Sequence, residues 1–181
     1  MGAICVFCGS SRTLDQHWLD LATRTGELIA RRGHTLVSGG GRVGMMGAVA
    51  MGARAAGGYT IGVMPEDLVA REIADPDADE QIVTDTLGAR KSVMIDKSDA
   101  FLTLPGGLGT LDELFEVWTT ASLGLHRKPL VLLDADGFYA GLTGWLSGLV
   151  GAGFARMAAV DGLIVVDSVP AALDAIEARL R

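Results

Sequence analysis

Short, nearly continuous apolar runs recur along the chain, and each is followed by a longer stretch whose apolar positions return at helical spacing. The runs Ala3–Phe7, Thr35–Ser38, Thr60–Met64, Ala100–Leu104, Leu130–Leu133 and Leu163–Val166 read as strands. Helical patterns cover residues 15–32, 44–57, 86–97, 110–124, 136–150 and 170–180. The strand runs are Val, Ile and Leu without alternation, as expected where both faces of a sheet are covered. Strand–helix repetition of this kind predicts an α/β fold with a doubly wound parallel sheet. No linker, internal repeat or low-complexity tract interrupts it, so residues 1–181 are expected to form a single domain. The acidic segment 66–85, "EDLVAREIADPDADEQIVTD", reads as a loop excursion.

Sheets of this class bind ligands in the crevice beyond the carboxyl ends of their strands. Three stretches fall there: "CGSSR", "SGGGRVGMMG" and "LPGGLGTLDE". Each follows a strand, precedes a helix and is rich in Gly or Ser, so backbone N–H groups can come close to a ligand. A phosphate-bearing ligand is one reading. Tight turns that let helices pack closely on the sheet are the other, and for "SGGG" they stand side by side. Gly39, Gly41 and Gly44 match G-x-G-x-x-G, but after the second strand and without a well-placed acidic residue beyond the third, which weakens a dinucleotide reading. No G-x-x-x-x-G-K-[ST] loop occurs.

"LPGGLGTLDE" sets a puzzle: a cradle suited to an anion also carries Asp112 and Glu113. Thr110 and Glu113 stand at capping-box spacing, which predicts a helix start at Thr110. A carboxylate in a first turn feels the positive end of the helix dipole, which favours its ionised form. Glu113 is therefore expected to act as an anion, stabilising positive charge or activating water. Cleavage of a nucleoside monophosphate at its ribose C1′ joins these demands, because a phosphate lies at one end of the sugar and an oxocarbenium-like centre develops at the other. Arg90 and Lys91 can supply offsetting cations, but neighbours on a helix diverge by about 100°, so one is expected in the site and one beside it. A solvated helix face is the alternative for such a pair.

Composition narrows the classes further. The formal charge of -7 argues against nucleic acid or an anionic membrane as partner. No apolar stretch approaches the ~20 residues that span a bilayer, and the start lacks the basic region of a signal peptide. Cys5 and Cys8 fall in or at the end of a strand run, and read as buried, reduced thiols of a cytoplasmic protein. His17, His34 and His126 are scattered, so no metal site is expected. Ser10 and Ser11 are open to a ligand or a helix start, and Trp18, Trp118 and Trp145 read as packing residues. Met45 and Met46 are either core or a soft wall for an apolar tail.

Together, "SGGGRVGMMG", "ARK" and "PGGLGTLDE" resemble the LONELY GUY family of cytokinin-activating phosphoribohydrolases, whose PGGxGTxxE hallmark is matched by Pro105, Gly106, Gly107, Gly109, Thr110 and Glu113. The likeness extends over most of the chain. It implies a Rossmann-like homodimer that hydrolyses N6-substituted adenosine 5′-monophosphates to the free base and ribose 5-phosphate, with no cofactor. Arg90 and Glu113 would be the catalytic pair. Substrate contacts would come from Ser38, Gly39, Gly40, Glu72, Lys91, Gly106, Gly107, Leu108, Gly109, Thr110, Leu111, Asp112 and Thr119. Leu108 stands where many plant members carry Tyr, and Asp112 where they carry Glu. Some relatives are labelled lysine decarboxylases, a chemistry that needs a pyridoxal-anchoring lysine. None of Lys91, Lys97 and Lys128 has a context that argues for that role. A nucleotide-binding module without turnover is the remaining alternative.

Overall fold

In the computed structural model, which describes residues 1–69 and 74–181, the apolar runs become the strands of one sheet. These are β1 (Ala3–Phe7), β2 (Thr35–Ser38), β3 (Thr60–Pro65), β4 (Glu80–Thr84), β5 (Ala100–Thr103), β6 (Leu130–Leu133) and β7 (Leu163–Val166). The helices are α1 (Gln16–Arg31), α2 (Gly44–Ala55), α3 (Glu66–Val69), α4 (Leu87–Asp96), α5 (Leu108–Ser122), α6 (Ala140–Gly151), α7 (Met157–Val160) and α8 (Val169–Leu180). A 3₁₀ turn at Ala135–Gly137 precedes α6. The strand order is β4-β3-β2-β1-β5-β6-β7, and every neighbouring pair is parallel.

The chain thus builds outward from β1 to β4, then returns to lay β5 against the free edge of β1, with Val6 opposite Leu102 and Phe7 opposite Thr103. That reversal makes β1/β5 the topological switch point, where the connections leave toward opposite faces. Side chains alternate between two cores. Ile4, Val6, Leu36 and Leu102 pack with Ala22, Ile29, Val49 and Leu173 of α1, α2 and α8. Cys5, Phe7, Val37 and Phe101 pack with Met94, Leu114, Val117 and Leu146 of α4, α5 and α6. Because both faces are covered, both registers must be apolar, which explains the unbroken runs. Cys5 and Cys8 are buried and free, and burial pushes both thiols well above their ordinary pKa.

The structure departs from the sequence reading in the 66–85 segment. Its end is strand β4 rather than loop. This edge strand alternates half-buried and exposed positions and starts at a glutamate, so it lacks the continuous apolar signature of the strands inside the sheet. α5 also starts at Leu108, two residues before the predicted start, with Gly107 at its N-cap.

Helices α1 and α2 meet at unusually short range. A Cβ on Gly26 would lie 1.9 Å from the Val49 carbonyl oxygen, and one on Gly52 would lie 2.1 Å from that of Thr23. The two glycines let adjacent helices seat together on one sheet face, and so fix the loops that lead into them from β1 and β2. Gly26→Ala is expected to cost about 1–3 kcal/mol by overpacking. Urea denaturation should show a lower midpoint at unchanged slope.

Candidate active site

The loops after β1 and β5 part at the switch point and enclose a cavity of about 660 Å³, within the roughly 300–1,000 Å³ usual for small-molecule sites. Cys8 to Ser11 line one side and Pro105 to Thr110 the other; α4 contributes Leu87, Arg90 and Lys91, and α5 contributes Asp112 and Glu113. Leu14, Trp18, Met45, Met46 and Phe138 add an apolar wall. The two loops are tied directly, since the Gly9 N–H donates to the Pro105 carbonyl at 3.1 Å.

Local sequence explains the shape of the β5–α5 turn. A Cβ on Gly106 would lie 2.2 Å from Thr110 Oγ1, so the missing side chain is what lets the buried threonine fold back over the turn. Gly107 caps α5 without any side-chain hydrogen bond. The Leu111 N–H reaches the Gly107 carbonyl at 3.0 Å, while the amides before it precede the first helical acceptor. Thr110, as third helical residue, cannot be the cap, and the predicted capping box with Glu113 is not formed. Amides at a helix start beside an open cavity are disposed to receive an anion.

Glu113 lies in the second turn and points inward. Its Oε1 is 3.2 Å from Arg90 Nη2, and both side chains are about one-tenth exposed or less. Arg90 is held from behind, its Nε donating to the Val63 carbonyl at 3.0 Å. Gly39 makes room for it: a Cβ there would lie 1.7 Å from Arg90 Nη2. Lys91, the next residue, turns to the outer side and pairs with Asp112 at 2.9 Å and Glu116 at 2.5 Å. So the two carboxylates of the turn are each matched by a cation from α4. Burial raises the Glu113 carboxyl above its ordinary pKa; Arg90 opposes this most strongly, and Asp112 and Glu116 reinforce it. The expectation of a dipole-favoured anion in the first turn is therefore corrected. Desolvation is the largest influence on the carboxyl here, and Arg90 supplies the main counter-charge.

The structure brings Arg90, Lys91, Gly106, Gly107, Leu108, Gly109, Thr110, Asp112 and Glu113 to one cavity. It does not bring Ser38, Gly39, Gly40, Leu111 or Thr119 to the cavity wall. Ser38 accepts the Gly40 N–H, and Gly40, at φ 70°, packs on Gly62. The "SGGG" turn thus serves close packing behind Arg90. Thr119 is exposed, ~9 Å farther along α5 than Glu113 by helical rise. Glu72 lies outside the described residues. Sequence reasoning missed Leu14, Trp18, Leu87 and Phe138 as wall residues. Phe138 had a signal, because "ADGFY" carries an Asp-Gly turn that both residues adopt with positive φ, 54° and 71°. Among the described residues, no group of His, Cys, Asp or Glu is disposed to hold a metal ion. Nor is any helix long and apolar enough to cross a membrane.

Fold and site together define a Rossmann-like α/β protein in which a glycine-rich helix start lines a cavity beside a buried arginine–glutamate pair. Residues 46–176 match the family model described as "Possible lysine decarboxylase". The cytokinin riboside 5′-monophosphate phosphoribohydrolase of Mycobacterium tuberculosis is 54% identical over 95% of this chain and 91% of its own. LOG4 of Arabidopsis thaliana, of the same description, is 42% identical over 84% and 71%. Among solved structures, the molybdenum cofactor binding protein of Rippkaea orientalis is similar at 27% identity with a TM-score of 0.75, covering 99% of this chain and 97% of that one. The molybdenum cofactor carrier protein of Chlamydomonas reinhardtii is similar at 28% identity with a TM-score of 0.74, covering 98% and 97%. The chain belongs to the LONELY GUY family.

The pair makes a titration prediction. The Arg90 charge stabilises the carboxylate form of Glu113, so its removal favours the acid form and raises the carboxyl pKa further. In Arg90→Gln, the side-chain ¹³C resonance of Glu113 should titrate at higher pH than in the wild type. Gly39→Ala should move it the same way, by displacing the guanidinium.

Proposed function

We propose that the protein hydrolyses the N-glycosidic bond of N6-substituted adenosine 5′-monophosphates, releasing the free base and ribose 5-phosphate. One observation carries this reading: the Arg90–Glu113 pair stands in the same cavity as the uncapped start of α5. The names of the relatives at 54% and 42% identity support it. The amides of Leu108 to Thr110 hold the 5′-phosphate and fix the sugar, with Lys91 adding positive charge at the cavity edge. The C1′–N9 bond breaks with positive charge gathering at C1′. Glu113 stabilises that charge and takes a proton from the incoming water, whose oxygen bonds C1′; Glu113 then returns that proton to the base, which leaves protonated at N9. Arg90 favours the ionised form of Glu113 and orients it. The edge-to-face contact of Trp18 and Phe138, 5.6 Å between ring centroids, gives an apolar wall suited to a substituent on the base.

Residues 1–181 act as one nucleotide-binding domain of a cytoplasmic homodimer in this reading. Thr119, exposed away from the cavity of its own chain, contacts substrate across the subunit boundary, and Glu72 remains a candidate contact. Lysine decarboxylation gains no support. A Schiff-base lysine needs a depressed pKa, whereas pairing with Glu116 and Asp112 raises that of Lys91. Lys97 pairs with Glu80, and Lys128 donates to the Ile95 carbonyl.

A second reading, binding without turnover, is favoured by the likeness to molybdenum cofactor binding and carrier proteins. Chromatography of reactions with AMP, N6-isopentenyl-AMP and the two nucleosides separates the readings. Base should appear from the monophosphates and not from the nucleosides, with the substituted base released faster. Glu113→Gln should lower release by at least about 10²- to 10⁴-fold while AMP still binds. AMP binding with no release by the wild type would favour the second reading, and undiminished release by the variant would remove Glu113 from the mechanism.

A further inference from the structure

Tyr139, between the 3₁₀ turn and α6, is 3% exposed although it carries a hydroxyl. That hydroxyl donates to the Leu104 carbonyl at 2.8 Å, at the point where β5 gives way to the Pro105–Gly107 turn. Tyr139 is itself anchored: its backbone N–H donates to Asp134 Oδ1 at 2.6 Å, and the Asp134 N–H donates to the Val166 carbonyl of β7 at 2.8 Å. Burial raises the phenol well above its ordinary pKa, opposed mainly by hydrogen bonding with the Gly106 backbone. The group is thus a neutral donor throughout the physiological range. An unbonded hydroxyl at such a buried place would be costly, so its bond to the turn is a specific demand of the site.

The turn has few other ties. Proline has no N–H to offer. The Pro105 carbonyl accepts from Gly9 on one side, and the Leu104 N–H donates to the Phe7 carbonyl at 2.9 Å. Tyr139 supplies the tie from the opposite side. Behind this short turn come the uncapped amides of α5 and, in its second turn, Glu113.

We propose that Tyr139 is a positioning residue for the phosphate cradle, its hydroxyl fixing the height of the Pro105–Gly107 turn above the sheet edge and hence the start of α5. This rests on the reading that the α5 amides hold the 5′-phosphate of the substrate. Tyr139→Phe removes the oxygen and keeps the ring. Its affinity for AMP by calorimetry, and its KM for base release, should weaken about five- to tenfold, as for one lost hydrogen bond. Binding of adenosine, which lacks the phosphate, should be unchanged, and kcat should fall much less than KM rises.

A variant that binds AMP as tightly as the wild type overturns the proposal, as does one that loses AMP and adenosine equally. If the wild type binds AMP no better than adenosine, the phosphate reading fails instead. Amide hydrogen exchange at Gly106, Gly107 and Gly109 then decides on the clamp: faster exchange confined to the turn in Tyr139→Phe upholds it, and unchanged exchange refutes it. Should that variant not fold, Asp134→Ala keeps the phenol while freeing its backbone anchor. The same phosphate-selective loss is expected there, and its absence counts against the proposal.

Discussion

The rest of the site depends on a buried ion pair at the carboxyl edge of the sheet. Arg90 and Glu113 come from helices on either side of β5 in sequence, and the guanidinium is completed by the Val63 carbonyl and by the space that Gly39 leaves open. Removing one partner of such a pair typically costs about 3–5 kcal/mol, whereas replacing both by apolar groups is often neutral or stabilising. Stability alone therefore gives no reason to keep it. What the pair provides is position: a carboxyl held in a cavity wall, away from bulk water, its ionised form disfavoured by burial and favoured chiefly by one arginine.

The puzzle of carboxylates beside an anion cradle resolves in the same terms. Asp112 and Glu116 share Lys91, and Glu113 faces Arg90, so two cations from α4 offset all but one of the three negative charges that this end of α5 carries. In the proposed reading, backbone amides supply the attraction. They suit a chain of net charge -7, because oriented N–H groups recognise phosphate locally without a basic surface that would also recruit nucleic acid. A glycine-lined turn is the cheapest way to expose them, since Gly107 and Gly109 have no side chain to shield the helix start.

Most of the fold was legible because its causes are periodic. Buried parallel strands must be apolar on both faces, and six of the seven announced themselves that way. β4 did not, because an edge strand with one exposed face reads like its acidic surroundings. The site was legible where chemistry is written in residue type: Arg90, Glu113 and the glycine turn were found. The turn's geometry was misjudged by two residues, because T-x-x-E spacing describes a cap equally well whether or not the helix has already begun. The direction of the Glu113 shift was missed for a related reason. Depth of burial is a tertiary property, and local sequence offered only the helix dipole. Trp18 and Phe138 were unreadable as neighbours, being 120 residues apart and joined only by the packing of α1 against the turn before α6.

The family's structural likenesses sharpen what distinguishes holding from cleaving. A cradle of amides can retain any phosphorylated ligand, and a fold shared with cofactor binding and carrier proteins is consistent with that alone. Nothing in phosphate binding requires a carboxyl buried against an arginine. Such a carboxyl stabilises a cation poorly when protonated and strongly when ionised, since the surrounding low dielectric leaves its charge unscreened. Arg90 pulls the carboxyl toward the ionised form, against the burial that makes that form potent. In the proposed reaction, the opposition of these two effects at one residue suits charge that develops at C1′.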